Sequence, residues 1–372
     1  MTAPPAQGNN FAVDRSSQKP LHQQLCEHYR QLIEGGVLPV GSRLPTELEL
    51  MAKHGVSRGT VREALRGLHE AGLVRRTTKI GTVVQSPPQP AVSARRIIGV
   101  VFPQTHDAFC LDIMKGVQTA CRERGYHAAF GYSHFSSAVE RAEVSRMRSA
   151  GFGGVLVLPH DDPTLFRELV ANTYPFVYID QKFEAAPSDF VGVDNVSASF
   201  TVTEHLIGLG HRHIGFIHRN PSLDQAPSTV KERYRGYRAA LTAHAVPFES
   251  SWLVEIARNA DPKAFLALTS QVDAVVAAND HTALKFLDVA TKAGVRVPEE
   301  IALVGFDDLP LAAEFALTTV AQPSREIGLR AAHLLIDRIE GKGGPPQHVI
   351  LPTHLVVRAT CGQNLRASTK GR

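Results

Sequence analysis

Apolar positions recur at two different periods along this chain, and the change of period divides it. From Pro20 onward the spacing is helical. Pro20 opens a helix with Leu21, Leu25, Leu32 and Ile33 on one face. Thr46 followed by Glu49 is a capping box and starts a second helix. Gly55 ends that helix, because glycine takes the left-handed conformation at little cost. Ser57 then caps a third. Val61, Ala64, Leu65 and Leu68 fall at i, i+3, i+4 and i+7 and pack inward, while Arg58, Gly59, Arg62 and Arg66 lie on the opposite face. Gly72 stops the helix. The next run, LVRRTTKIGTVV, is β-branched and basic and reads as a small hairpin. SPPQPAVSARR at 86–96 is proline-rich and reads as a semi-rigid linker. Beyond it, buried-strand runs alternate with amphipathic helices: IIGVVF (97–102), CLDIMKGVQTACRERG (110–125), GGVLVLP (153–159), PFVYID (175–180), HIGFIH (213–218), DAVVAAN (273–279), TALKFLDVATKAG (282–294) and IALVGFDD (301–308). Such alternation predicts a parallel sheet with helices on both faces, and its length predicts two lobes.

Two short helices joined by a tight turn, the second with an arginine face, form a helix-turn-helix pattern. Ser57, Arg58, Gly59, Thr60 and Arg62 sit at the N-terminal end of the second, where side chains reach base edges and backbone amides face phosphates. Arg58 and Arg62 are the candidates for clamping guanine through two hydrogen bonds. Arg43 and Thr46, at the start of the preceding helix, are candidates for phosphate contact. Lys79, Gly81 and Thr82 are candidates for wing contacts.

PLHQQL at 20–25, GSRLPTELEL at 41–50, VSRGTVREAL at 56–65, EAGLV at 70–74 and GTVV at 81–84 resemble the winged helix-turn-helix of GntR-type regulators. Leu48 stands where many relatives carry a basic residue, and Lys79 stands near the usual wing glycine. HLIGLGHRHIGFI (205–217), ERYRGYRAAL (232–241), AANDHTAL (277–284), GVRVPEEIALVGFDDLPLA (294–312) and TTVAQPSREIGLRAA (318–332) resemble the periplasmic-binding-protein-like core of LacI/GalR regulators. The two together resemble the arabinose-repressor subgroup. The resemblance implies an α/β chain: an N-terminal winged helix-turn-helix (19–86), a linker (87–96) and a two-lobed, doubly wound core that binds effector and dimerises (97–361), then a tail (362–372).

Charge sharpens the division. Of the formal net charge of +4, all is accounted for between Lys19 and Ser86, where ten Lys/Arg meet six Asp/Glu. A basic module on a neutral body points to one polyanion-binding part and one part with other work. The 43% hydrophobic and 20% charged content is that of an ordinary soluble protein. Cys26, Cys110, Cys121 and Cys361 are scattered, which calls for neither a zinc site nor a disulfide framework and fits a reducing cytoplasm. His211 and His213 form an HxH pair without an obvious further ligand, so no metal or cofactor is called for. The N-terminus MTAPPAQGNNFAVD lacks a signal-peptide core, no apolar run is of membrane-spanning length, and residues 1–18 read as disordered.

Open α/β sheets bind ligands beyond the carboxyl ends of their strands. His106 and Asp107 follow the first strand of the body, Asp180 ends PFVYID, Asp280 ends DAVVAAND, and Arg233 opens the RYRG helix. Carboxylates beside a forked arginine donor suit a hydroxyl-rich molecule such as a sugar, with Phe109 and Phe306 placed to cover an apolar ring face. The resemblance assigns effector contact to Arg233 and Asp280. EIARNAD at 255–261 lacks the aromatic that some sugar-binding relatives stack on the ring. The expected function is therefore a homodimeric repressor, released from double-stranded operator DNA by a sugar. Its half-site centres would lie about 34 Å, or a multiple, apart. A non-sugar effector, or activation instead of repression, is the alternative. Some GntR-type heads carry an aminotransferase-like enzyme body, but GxxxxGKS/T and HExxH are both absent. An architectural DNA binder would have no need of a two-lobed cleft.

Overall fold

In the computed structural model, which describes residues 11–17, 19–77, 80–85, 93–104, 108–256 and 267–363, the chain separates between Val92 and Ser93 into two units. The first unit holds α1 (Leu21–Glu34), α2 (Glu47–His54), α3 (Arg58–Glu70), β1 (Val74–Thr77) and β2 (Gly81–Val84). Leu25, Ile33, Leu50, Val61, Ala64 and Leu68 close its core, as the helical spacing dictates. The two strands form an antiparallel hairpin with Val74 opposite Val84, and an isolated bridge from Arg43 to Val83 ties its base to the segment before α2. Residues 11–17, expected to be disordered, instead lie on the helices. Phe11 stacks on His28 with ring centroids 4.1 Å apart, and Arg15 Nη2 donates to the Gly55 carbonyl at 2.8 Å. No helical period marks this strap: besides that ring and guanidinium, the Gln24 side chain pairs with the Asp14 backbone and Val13 packs on the core.

The second unit begins inside the expected linker: Ala94–Arg96 form a short 3-10 turn, and Arg96 lies over the Tyr126 ring. Its elements are β3 (Ile97–Phe102), α4 (Ala108–Arg124), β4 (His127–Tyr132), α5 (Ser137–Ser149), β5 (Gly154–Val157), α6 (Thr164–Ala171), β6 (Phe176–Ile179), β7 (Asp189–Val193), α7 (Asn195–Gly208), β8 (Ile214–His218), α8 (Ser228–Ala243), β9 (Leu253–Glu255), β10 (Ala274–Ala277), α9 (Asp280–Ala293), β11 (Ala302–Val304), α10 (Pro310–Glu314), β12 (Thr319–Ala321), α11 (Ser324–Ile339), β13 (His348–Leu351) and β14 (His354–Val356). Six parallel strands in the order β13-β7-β6-β5-β3-β4 make the first lobe, and four in the order β11-β10-β8-β9 make the second. Helices α4 and α11 cover one face of the first sheet, and α5 and α6 the other. In the second lobe α7 and α8 cover one face and α9 the other.

Among the described residues the chain crosses between lobes three times: after β7, after β12 and after β13. Since β7 and β13 run parallel, both exits leave from the carboxyl edge of the first sheet, so that edge faces the second lobe. Leu309, just before α10 in the second lobe, belongs to the apolar cluster of the first, which also brings the lobes together. Among the described residues, no helix is long and apolar enough to cross a membrane.

Candidate functional site

The first unit presents a groove of about 860 Å³ between α2, α3 and the hairpin, lined by Arg43, Thr46, Glu47, Leu48, Arg58, Arg62, Arg76, Gly81 and Thr82 among others. The caps that shape it are those in the sequence. The Thr46 amide donates to Glu49 Oε2 at 2.7 Å, and the Glu49 amide donates back to Thr46 Oγ1 at 3.3 Å. Gly55 closes α2 with φ +62°. Ser57 Oγ accepts the Thr60 amide at 3.2 Å, and the two hydroxyls lie 2.9 Å apart. Thr46, Ser57 and Thr60 thus use their hydroxyls on the helix ends, and Thr46 and Thr60 their amides as well, which makes them the frame of the groove. Gly59 is exposed beside them.

Glu47, passed over in the sequence, organises the cations. Its carboxylate accepts Arg58 Nε at 3.1 Å and Arg62 Nε at 3.3 Å, while both arginines stay more than half exposed. The Arg58 bond, together with the nearby Arg62 charge, holds the Glu47 carboxyl below its ordinary range. A single anion thereby sets the spacing of two guanidinium groups on α3. Arg43 lies against Gly81 at the base of the hairpin, and Arg76 adds a cation from β1 that the sequence reading did not single out. Lys79 lies outside the described residues.

In the second unit the sequence candidates separate into two groups. Arg233, on α8, is buried at 5% exposure, and its guanidinium lies 3.7 Å from the centre of the Phe306 ring. Its Nε donates to Asn195 Oδ1 at 2.9 Å, and its Nη1 donates to the Ala278 carbonyl at 2.8 Å and lies 3.5 Å from Asp307 Oδ1. Gln322 Nε2 donates to the same Asp307 oxygen at 2.7 Å. Gln322 Oε1 is buried and, among the described residues, accepts no hydrogen bond. Asn195 and Gln322 stand at two of the three crossings, so the cluster is built on the hinge.

Asp280 is not part of that cluster. It is fully buried: Oδ2 accepts the Leu309 amide at 2.8 Å and Oδ1 accepts the Thr319 hydroxyl at 2.6 Å. Burial pushes its carboxyl up to about 6 against those bonds. Nor does it cap α9, since Asn279 does so by accepting the Thr282 amide. The carboxylate beside Arg233 is Asp307. The rings are likewise corrected: Phe306 lies under the guanidinium and Phe109 in the first-lobe core, both buried and both short of exposed ring face. Asp180 ends β6 at the carboxyl edge facing the second lobe, with a left-handed backbone at φ +62°. His106 and Asp107 lie outside the described residues. His211 and His213 both lean on Asp273, at 3.2 and 3.7 Å, and among the described residues no group of side chains is arranged to hold a metal ion.

Residues 21–84 match the family model described as bacterial regulatory proteins, gntR family, and residues 203–361 match the periplasmic binding protein-like domain. The arabinose metabolism transcriptional repressor of Halalkalibacterium halodurans is 30% identical over 353 residues, covering 88% of this chain and 92% of that one. The HTH-type transcriptional regulator CelR of Thermobifida fusca is 32% identical over 345 residues, covering 85% and 98%. A solved structure described as a transcriptional regulator CelR-cellobiose complex superposes with a TM-score of 0.62 at 28% identity, covering 85% of this chain and 100% of that one.

Proposed function

Because the chain belongs to the gntR family of bacterial regulatory proteins, among those whose head is followed by a periplasmic-binding-protein-like domain, we propose that it is a repressor whose operator affinity is lowered by a sugar gripped between the two lobes. It is a DNA-binding transcription regulator, and its relatives are regulators and not enzymes. The observation that carries the effector reading is the orphaned Oε1 of buried Gln322 beside Arg233 and Asp307. A buried acceptor without a donor is costly, by about 1–3 kcal/mol. A ligand hydroxyl supplies that donor, while Asp307 accepts a second hydroxyl and the Arg233 fork donates to a ring or hydroxyl oxygen. The CelR–cellobiose complex among solved relatives supports the sugar class. Asp180, on the facing edge, contributes from the first lobe.

The body pairs two copies through exposed apolar side chains at α10, Leu311 on the helix and Phe315 just after it, at 46% and 55% exposure, with Leu111 on α4. Pairing presents two heads to a pseudo-palindromic operator. Arg58 and Arg62 read base edges; Arg43, Gly59 and Thr60 meet phosphates; Arg76, Lys79, Gly81 and Thr82 set the wing. Such a regulator works in the cytoplasm, with the chromosome.

A thermal-shift screen of the full chain over pentoses, hexoses and disaccharides is the test, with operator binding measured alongside. At least one sugar should raise the unfolding temperature and weaken operator binding. Arg233→Ala should lose both effects while keeping operator affinity. A sugar that tightens operator binding would reverse the sign of the reading, and a sugar response left intact in Arg233→Ala would remove the site.

A further inference from the structure

We propose that Leu48 reads the C5-methyl group of a thymine in the major groove, giving each operator half-site one methyl-dependent position next to the bases contacted by Arg58 and Arg62. The inference rests on the DNA-binding role of the head. Leu48 is the second residue of α2 and is 76% exposed, although it is a large apolar side chain. Helical spacing accounts for its neighbour Leu50, which is 1% exposed in the core, but gives Leu48 nothing to pack against. It lines the same groove as Arg58, Arg62 and Arg76.

The backbone that carries it is fixed from both sides. The capping box holds the first turn of α2, and the adjacent Glu47 is tied to both recognition arginines. Leu48 therefore keeps a set position relative to the two guanidinium groups when they dock. Along that path a duplex offers phosphates, sugars and polar base edges, none of which rewards an isobutyl group. The exception is the thymine methyl, the one large apolar group on a major-groove edge. Excluding water from one methyl-sized contact is worth about fourfold in affinity. The minor groove exposes no such group. A lysine or arginine at this position would have drawn a phosphate or a guanine instead, so the leucine changes which base the half-site selects.

The test begins by selecting a duplex from a random library with the full chain. Each thymine in that duplex is then replaced singly by deoxyuridine, which pairs identically and lacks the methyl. Wild type should lose about fourfold in affinity at one thymine per half-site. Leu48→Ala should bind the parent duplex more weakly by the same factor and be indifferent to that replacement, and Leu48→Met should retain the discrimination. Two outcomes overturn the inference: no thymine whose methyl matters to wild type, or a methyl effect of undiminished size in Leu48→Ala. In either case the duplex is still bound and the regulator stands. Failure to select any duplex would instead strike the DNA-binding role itself.

Discussion

Glu140 is a carboxylate held where water does not reach. It lies on α5 at 1% exposure, and its Oε2 accepts the His160 amide at 2.9 Å, pinning the loop after β5 at the edge that faces the second lobe. Burial pushes its carboxyl from 4.5 up to about 7, with Asp161 and Asp162 pushing the same way and the His160 bond opposing. The folded chain therefore holds this proton more tightly than the unfolded chain does. The stability it contributes is full below about pH 4.5 and is lost as pH rises toward about 7, a change of about 3 kcal/mol. Glu140→Gln keeps an acceptor for the amide and removes the charge. The variant should gain about 2.5 kcal/mol on wild type between pH 5 and pH 8, read by urea unfolding at the two values. An equal difference at both would rule out this account. At the same scale, the sequence was legible wherever the partner is local. Thr46, Glu49 and Ser57 bond within three residues, and all of them cap as their spacing predicts. It was misleading where the partner is distant. Asp280 and Asp307 both follow strands, and contacts 29 and 39 residues away draw Asp280 inward. Nothing in AAND or GFDD records those contacts.

Among elements, α7 and α8 pack against each other more closely than side chains allow. A Cβ at Gly236 would stand 2.1 Å from the Val196 carbonyl oxygen and 3.0 Å from the Phe200 amide, both backbone atoms of α7. Backbone cannot yield as the end of a long side chain can, so the helices would have to separate. Gly236→Ala should destabilise the body by about 1–3 kcal/mol despite alanine's better helix propensity. Chemical unfolding of the full chain checks this; a stabilised variant would mean that the two helices slide apart freely. The same helices carry Asn195 and Arg233, so their separation bears directly on the hinge cluster. The RYRG motif was readable as a helix with an arginine, but the reason for its glycine appears only with α7 in place. Strand legibility follows burial. Strands β3, β5, β6 and β10 are continuous apolar runs and stood out. Strands β12, β13 and β14 are three or four residues long, and the latter two are only partly buried, so no pattern distinguished them from loop.

For the whole molecule, the separate apolar cores of the two units make function divisible in a measurable way. The first core runs from Leu25 to Val84, and the clusters of the second unit begin at Ile98. Each should therefore melt as its own transition in calorimetry. Operator duplex should raise one transition and effector the other, each by RT ln(1 + [L]/Kd), about 2.7 kcal/mol at a hundredfold excess over Kd. The informative measurement has both ligands present. If effector binding weakens DNA binding, linkage requires DNA to weaken effector binding by the same factor, typically about 1–3 kcal/mol. The combined stabilisation must then fall short of the two separate shifts, and the shortfall must be equal whether duplex or sugar is added last. Arg233→Ala should lose the effector shift and with it the shortfall, while Arg62→Ala should lose the duplex shift and leave the sugar's intact. A shortfall of zero in wild type would mean that the cleft and the head do not communicate, even with each binding its own ligand. Asp280 ties the two lobes of the body to each other. It anchors the amide of Leu309, the second-lobe residue seated in the first-lobe core. Its loss should therefore shrink the shortfall more than it shrinks either shift alone.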